Sequence, residues 1–168
     1  MSRLRRDHEL VQNHALGAFL QWRFATGYSA ATDDAAGVPA AQVFLVLPIL
    51  FHEPTFEILA STNRPTGLRG FAAKFGSSKE RASDLLLSIH DRVDRTRELS
   101  LTSLRMGMAF RLLTVDRPTG TVLSLTHSEP RAFVPEAIRP LSRNAEKLGE
   151  WCSRLTGFEI SSILKVSF

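Results

Sequence analysis

Apolar positions recur every three or four residues over most of the chain, the spacing that places them on one face of an α-helix. Over residues 7–28 they fall at Leu10, Val11, Ala15, Ala18, Phe19, Trp22 and Phe24, with His14 among them, and predict a helix that closes at Gly27-Tyr28. Residues 29–39 are small and polar and read as a loop. Residues 40–59 carry a helical stripe of Leu45, Pro48, Ile49, His52, Phe56 and Leu59. Proline is tolerated in the first turn of a helix and disruptive later. This helix is therefore expected to kink or restart near Pro48 and to break again near Pro54, with Glu53 biased away from helical angles. The NRPT segment at 63–66 is a turn, and Thr66 caps a short helix with Leu68, Phe71, Ala72 and Phe75 on one face and Gly76 as its stop. Ser77 or Ser78 starts a longer helix over 79–97. Its core face is Ala82, Leu85, Leu86, Ile89 and Val93, with Asp84, Asp91, Arg92, Asp94 and Arg95 on the wet side.

Ser100 caps the next predicted helix, whose inner face is Leu101, Leu104, Met108 and Leu112, with Gly107 a local weakness of about 1 kcal/mol. The period then changes from helical to alternating. LLTVD, a turn at RPTG and TVLSLT read as two strands of a hairpin. Helix, helix, hairpin is the order of a winged helix-turn-helix. Residues 141–155 form a helix with Leu141, Ala145, Leu148, Trp151, Cys152 and Leu155 inside, and Thr156-Gly-Phe-Glu159 is a capping box that opens a last short helix with Ile160, Ile163 and Leu164. The expected fold is mainly α with one β-hairpin: a winged-helix-like single domain over 1–168. It divides into a helical N-terminal part (7–97), a helix plus hairpin (100–127) and flanking C-terminal helices (141–166).

Composition sharpens this picture little. The chain has 168 residues, 43% hydrophobic and 23% charged, as globular domains do. A formal charge of +4 permits nucleic-acid contact without demanding it, since there is no long Lys/Arg block. One cysteine cannot form an internal disulfide, which fits a reducing compartment. SRLRRDH lacks the apolar region that makes a secretory signal. The longest apolar run, 43–51, falls well short of the roughly 20 residues of a membrane span. The expected location is cytoplasmic.

Motifs of chemistry are sparse. GSSK at 76–79 has one glycine and the wrong order for a phosphate loop, and His52-Glu53 lacks the second histidine four residues on that a helical zinc site needs. Cys152 sits beside Trp151 on an apolar stripe, without a recognisable Cys/His pattern, and no GxSxG elbow exists. The expectation is a protein without catalytic residues, cofactor or metal. The helix-hairpin unit is the better candidate. A recognition helix would present Thr102, Ser103, Arg105 and Met106, with Arg111 on a later turn and Arg117 on the wing, and arginine holds phosphates and reads guanine edges. Asp91, Asp94, Glu98 and Asp116 offset that charge, so an interaction scaffold with solvated arginines stays open. At the HEPT step, Thr55 can cap the following turn and Glu57 sits in its first turn. His52, Glu53 and Thr55 at this corner, with Phe158, Val166 and Phe168 off the stripe of the last helix, form a candidate partner-docking region. The alternative is a tail that folds back on its own domain.

Four segments occur in the order and spacing of one family: NHALGAFLQWRFATGY, VFLVLPILFHEPTFEIL, NRPTGLRGFAAK and NAEKLGEWCSRLTGFEISSILKV. Together they resemble the middle component of prokaryotic three-component ABC systems, over most of the chain. The family often has Asn-Pro-Ala near its start, where this chain has Asn13-His14-Ala15. The resemblance implies partners rather than a reaction. These are an ABC ATPase related to chromosome-maintenance and repair ATPases, and a third protein with an effector region, acting against phages and other mobile DNA. It implies a winged-helix-type adaptor in a hetero-oligomer, with DNA contact indirect or non-specific, and carries over no catalytic residue. A free-standing winged-helix transcriptional regulator is the competing expectation.

Overall fold

The computed structural model describes residues 13–32, 35–76, 81–126 and 134–168. In chain order these form α1 (His14–Ala30), β1 (Val38–Pro39), α2 (Ala40–Val43), α3 (Val46–Leu50), α4 (Glu53–Ala60), a 3-10 turn (Arg64–Thr66), α5 (Gly67–Gly76), α6 (Arg81–Arg95), α7 (Arg97–Ala109), β2 (Leu113–Asp116), β3 (Thr121–Ser124), α8 (Arg139–Ser153) and α9 (Gly157–Leu164). The predicted helix start at Asp7 with Leu10 and Val11, the helix start at Ser77 to Lys79, the side chain of Ala82 and the end of the hairpin unit at His127 lie outside the described residues.

The chain is mostly helical with a small antiparallel sheet, and α1 is its axle. Asn13 caps it, its side-chain oxygen accepting the Leu16 amide at 2.9 Å. The expected single stripe is not what α1 shows. From Leu16 to Ser29 every residue but half-buried Phe19 is buried, while Ala15 is exposed. Its buried polar groups are matched to distant partners: Gln21 Nε2 donates to the Ser100 carbonyl at 2.9 Å, Trp22 Nε1 to the Thr126 carbonyl at 2.8 Å, and Ser29 to the Ala36 carbonyl at 3.0 Å.

Two helices flank α1 closely. A methyl on Gly27 would lie 2.1 Å from the Glu146 carbonyl oxygen of α8, and one on Gly149 would lie 2.0 Å from the Phe24 carbonyl oxygen of α1. On the α7 side, a Cβ on Gly17 would sit 2.2 Å from Ser103 Oγ. This approach sets the rotation of α7. Its buried face is Ser100, Ser103, Leu104 and Gly107, one position off the predicted face. Leu101 and Met108, expected inside, are exposed, and Leu112 is half-buried. Ser100, expected as a cap, is inside the helix.

The hairpin forms as predicted, with Leu113↔Ser124 through Asp116↔Thr121 in register. Gly120 has φ +67°, a conformation that favours glycine, and its amide donates to the Asp116 carbonyl at 2.9 Å. The predicted loop 29–39 yields a third strand, because β1 pairs antiparallel with β3 and the sheet order is β1-β3-β2. Pro39 lacks an N–H, and an edge strand is where that is tolerated.

The apolar run restarts earlier than expected. α2 ends at Val43 and α3 begins at Val46, so Pro48 falls in a first turn and needs no amide partner. Glu53 and Pro54 are the first residues of α4, with the break just before them at Phe51-His52. Residues 40–50 and α4 meet at 101°, and no single helix among the described residues is long and apolar enough to cross a membrane.

Gly27→Ala is expected to destabilise the fold by about 3 kcal/mol or more, because backbone, not a flexible side chain, occupies the added methyl's space. Gly157→Ala, with nothing within 4 Å, is the control and should change stability by no more than about 1 kcal/mol. Urea melts of both variants make the comparison.

Candidate functional site

The HEPT corner is knitted to the interior. Arg92 of α6, expected on the wet side, turns in. Its Nε donates to the Pro48 carbonyl at 3.2 Å, Nη1 to Ser88 Oγ at 2.6 Å and Nη2 to Thr55 Oγ1 at 2.9 Å. A guanidinium only donates, so the Thr55 hydroxyl accepts from Arg92, and it shares a second hydrogen bond with His52 Nδ1, 2.7 Å away. Burial, and then Arg95, lowers the Arg92 pKa to about 10 against a smaller opposing effect of Asp91. Pro48 O is one of the last carbonyls of α3, so Arg92 supplies the donor that the broken helix lacks. Thr55 is thus neither a cap nor a docking residue, being inside α4 and 0% exposed. His52 is half-buried, and the corner shows solvent Glu53 and Pro54. Glu53, not Glu57, is the acid in the first turn of α4.

A second buried cation escaped the sequence reading. Lys147 Nζ donates to the carbonyls of Leu59 and Thr62 at 2.7 and 2.8 Å, at the end of α4, and lies 5.3 Å over the Trp151 ring. Burial, then Arg64 and Lys74, lowers its pKa. Trp151 Nε1 donates to the Arg64 carbonyl at 2.8 Å, while the Arg64 side chain bridges Glu150 at 2.7 Å and Glu146 at 3.7 Å. Arg23 of α1 also pairs with Glu146. The NRPT turn is thereby clamped to α8 by Glu146, Glu150 and Trp151, and Lys147 holds the residues just before the turn. The 3.6-residue spacing of these α8 residues was the available signal. Cys152 is wholly buried, and desolvation pushes its thiol up to about 12.

At the C-terminal end the capping box is present. Thr156 Oγ1 accepts the Glu159 amide at 3.2 Å, and Glu159 Oε2 accepts the Thr156 amide at 2.8 Å. These bonds to Thr156, and the nearby Arg69 guanidinium, hold the Glu159 carboxyl below its usual range. Val166 overturns its assignment to an exposed patch. It is 3% exposed, its amide donates to the Ser161 carbonyl at 3.1 Å, and the next amide reaches His90 Nδ1 of α6 at 3.5 Å. The tail folds back on the chain. Phe158 and Phe168 stay exposed at opposite ends of this segment, and Phe168 lines a cleft of about 180 Å³ with Ala41, Phe44, Val93 and Arg97.

The helix-hairpin face is divided. Ser103, predicted outward, is 0% exposed because it lies in the α1–α7 contact, and Thr102 and Met106 are half-buried. Arg105, Arg111 and Arg117 are exposed, and none forms an ion pair among the described residues. Leu101, Met108, Phe110 and Leu125 are exposed on the same unit. The Leu112 amide bonds the Gly107 carbonyl at 2.9 Å and the Leu112 carbonyl accepts the Leu125 amide at 2.9 Å, which places Leu125 beside the end of α7.

Lys147→Met should cost about 2 kcal/mol or more in chemical denaturation, since the Thr62 carbonyl loses its cationic donor and the Leu59 carbonyl keeps only the Thr62 amide. Removing 165–168 should lower the thermal midpoint by about 5 °C or more, through loss of buried Val166. An unchanged melt would place the tail off the core. The native Cys152 thiol should resist a thiol reagent at pH 8 and react only as fast as the chain opens, which labelling in rising urea tests.

No curated protein and no solved structure matches the chain. A family model does, over its whole length. It describes Middle Component 3 of ABC-three component (ABC-3C) systems and matches residues 1–168. The segments that carry the earlier resemblance are the ones that build the axle, the bent corner, the clamped turn and the α8–α9 end. The chain belongs to the ABC-three component system Middle Component 3 family.

Proposed function

We propose that this middle component is a non-enzymatic adaptor that joins the ABC ATPase of its system to an effector protein, in defence against phages and other mobile elements. One observation carries the reading: the polar groups that look chemical are engaged in holding the fold, while apolar and cationic side chains of α7 and its end are left outside. Arg92 and Lys147 close helix ends, and Cys152 is sealed in the core. Leu101, Arg105, Met108 and Phe110 face solvent. Family membership over the whole chain supports a component that works through other components. The proposed setting is the cytoplasm, in a hetero-oligomer.

The helix-hairpin unit is winged-helix-like in this reading. α7 leads into the β2–β3 hairpin, and β1, which follows α1, closes the open edge of the sheet. A free-standing DNA-binding regulator is the second reading. Its support is the three exposed arginines, one within α7, one just past its end and one on the wing, with no carboxylate paired to them among the described residues.

Two measurements separate the readings. Co-expressed with the other components of its system, the chain should co-purify with at least one of them through size exclusion. Failure to do so would sink the adaptor. For the regulator, Arg105→Ala and Arg117→Ala should each weaken duplex binding and lower the salt slope by about one unit. Wild-type protein with no salt-dependent DNA binding near ~50 mM salt would end that reading.

A further inference from the structure

Between the end of α4, the turn that follows it and the first half of α8 lies a cleft of about 310 Å³. That is the low end of the roughly 300–1,000 Å³ usual for small-molecule pockets. Its lining includes Arg64, Arg143 and Lys147, with Asn63 and Asn144, and holds no carboxylate. Arg143 and Lys147 stand four residues apart on α8, so they share one face of that helix. Arg64 comes from the facing wall, on the 3-10 turn. Asn63, just before it, is exposed and makes no side-chain hydrogen bond among the described residues.

The charge of this cleft is not balanced from within. α8 also carries Glu146 and Glu150 near Arg64, but each is already shared between two guanidiniums. Arg23 and Arg64 meet Glu146, and Arg64 and Arg154 meet Glu150. Arg143 is exposed and forms no ion pair among the described residues. Lys147, 7% exposed, has no carboxylate paired with it either, since its bonds to Leu59 and Thr62 go to neutral carbonyls. Arg64 and Lys74 add to the burial that lowers its pKa, as like charges do. A buried ammonium without a counter-ion is costly, and an anion in the cleft offsets part of that cost. A cleft lined by one sign of charge also concentrates ions of the other sign.

We propose that this cleft binds a phosphate group, with Arg143 as its direct contact and Lys147 as a fixed positive floor. Two cations of the lining, Arg143 and Lys147, lack a carboxylate, and their charge matches the roughly −1.5 to −2 of a phosphate monoester near pH 7. A carboxylate or a phosphodiester brings only one charge. The Arg143 guanidinium offers the paired N–H bonds that suit phosphate oxygens. Lys147 keeps the carbonyl bonds that close α4, so the site needs no rearrangement of the frame. Phosphate binding here is independent of the adaptor reading.

The test melts the full chain with ~10 mM inorganic phosphate or glycerol phosphate, at an ionic strength fixed with chloride. Both should raise the thermal midpoint by about 2 °C or more, while acetate and dimethyl phosphate should leave it within about 0.5 °C. Arg143→Gln should abolish the rise and keep the ligand-free midpoint, because Arg143 is exposed and unpaired. Arg143→Lys, which keeps the charge, should retain part of the rise. Broadening of the phosphorus NMR line on titration with protein should disappear in Arg143→Gln as well. That line, read well below the melt, decides the point for any variant whose own midpoint shifts. A stronger response to glycerol phosphate than to inorganic phosphate marks an esterified ligand, and equal responses mark the free ion. No rise in wild type, or the same rise in Arg143→Gln, overturns the site. An equal rise with acetate overturns the choice of phosphate. An oligonucleotide that binds through Arg143 more tightly than either phosphate puts nucleic acid in its place and overturns the proposal too.

Discussion

Everything in this fold is arranged around the closeness of α1 to α8. At Gly27 and Gly149 the two helices meet backbone to backbone, without a side chain between them. That contact draws Glu146 to Arg23, and the same glutamate reaches Arg64 in the 3-10 turn. α7 comes in on the other side of α1 with Ser103 against Gly17, and Leu104 is the large apolar residue on its buried face. One spacing requirement thus sets which residues of both flanking helices face α1.

Short helices pose a second problem, which two cations solve. α3 and α4 are 5 and 8 residues long, and each ends on carbonyls that its own helical amides do not reach. Arg92 meets a carbonyl at the end of the first, and Lys147 meets two beyond the second. A positive charge is favoured at a helix C-terminus, which offsets part of the cost of burying it. Side chains that suggest a binding or catalytic pocket when read singly thus act as parts of the frame.

What the amino-acid sequence discloses here follows from how local each decision is. The Thr156–Glu159 box, the Gly120 turn and the inner face of α8 depend on neighbours a few residues away, and they were legible. So were Leu68, Phe71 and Phe75 on α5. β1 was not, because Val38-Pro39 becomes a strand only where β3 offers an edge. The rotation of α7 depends on Gly17, far away in sequence, and the roles of Arg92 and Lys147 depend on helix ends built by other segments. In the candidate site, Arg105, Arg111, Arg117, Phe158 and Phe168 are exposed as expected. Ser103, Thr55 and Val166 are removed by contacts that no local pattern encodes.

The reach of the Arg23–Glu146 link, 123 residues, carries a consequence for biosynthesis. α1 precedes the other described helices off the ribosome, yet in the fold it is buried around nearly its whole circumference, and α8, which covers one side of it, comes more than a hundred residues later. During translation α7 can cover one side of α1, but the side that α8 takes stays open until α8 emerges. Long-range closure of this kind slows folding and exposes nascent chains to aggregation. The architecture therefore leaves one side of α1 uncovered until α8 has been made.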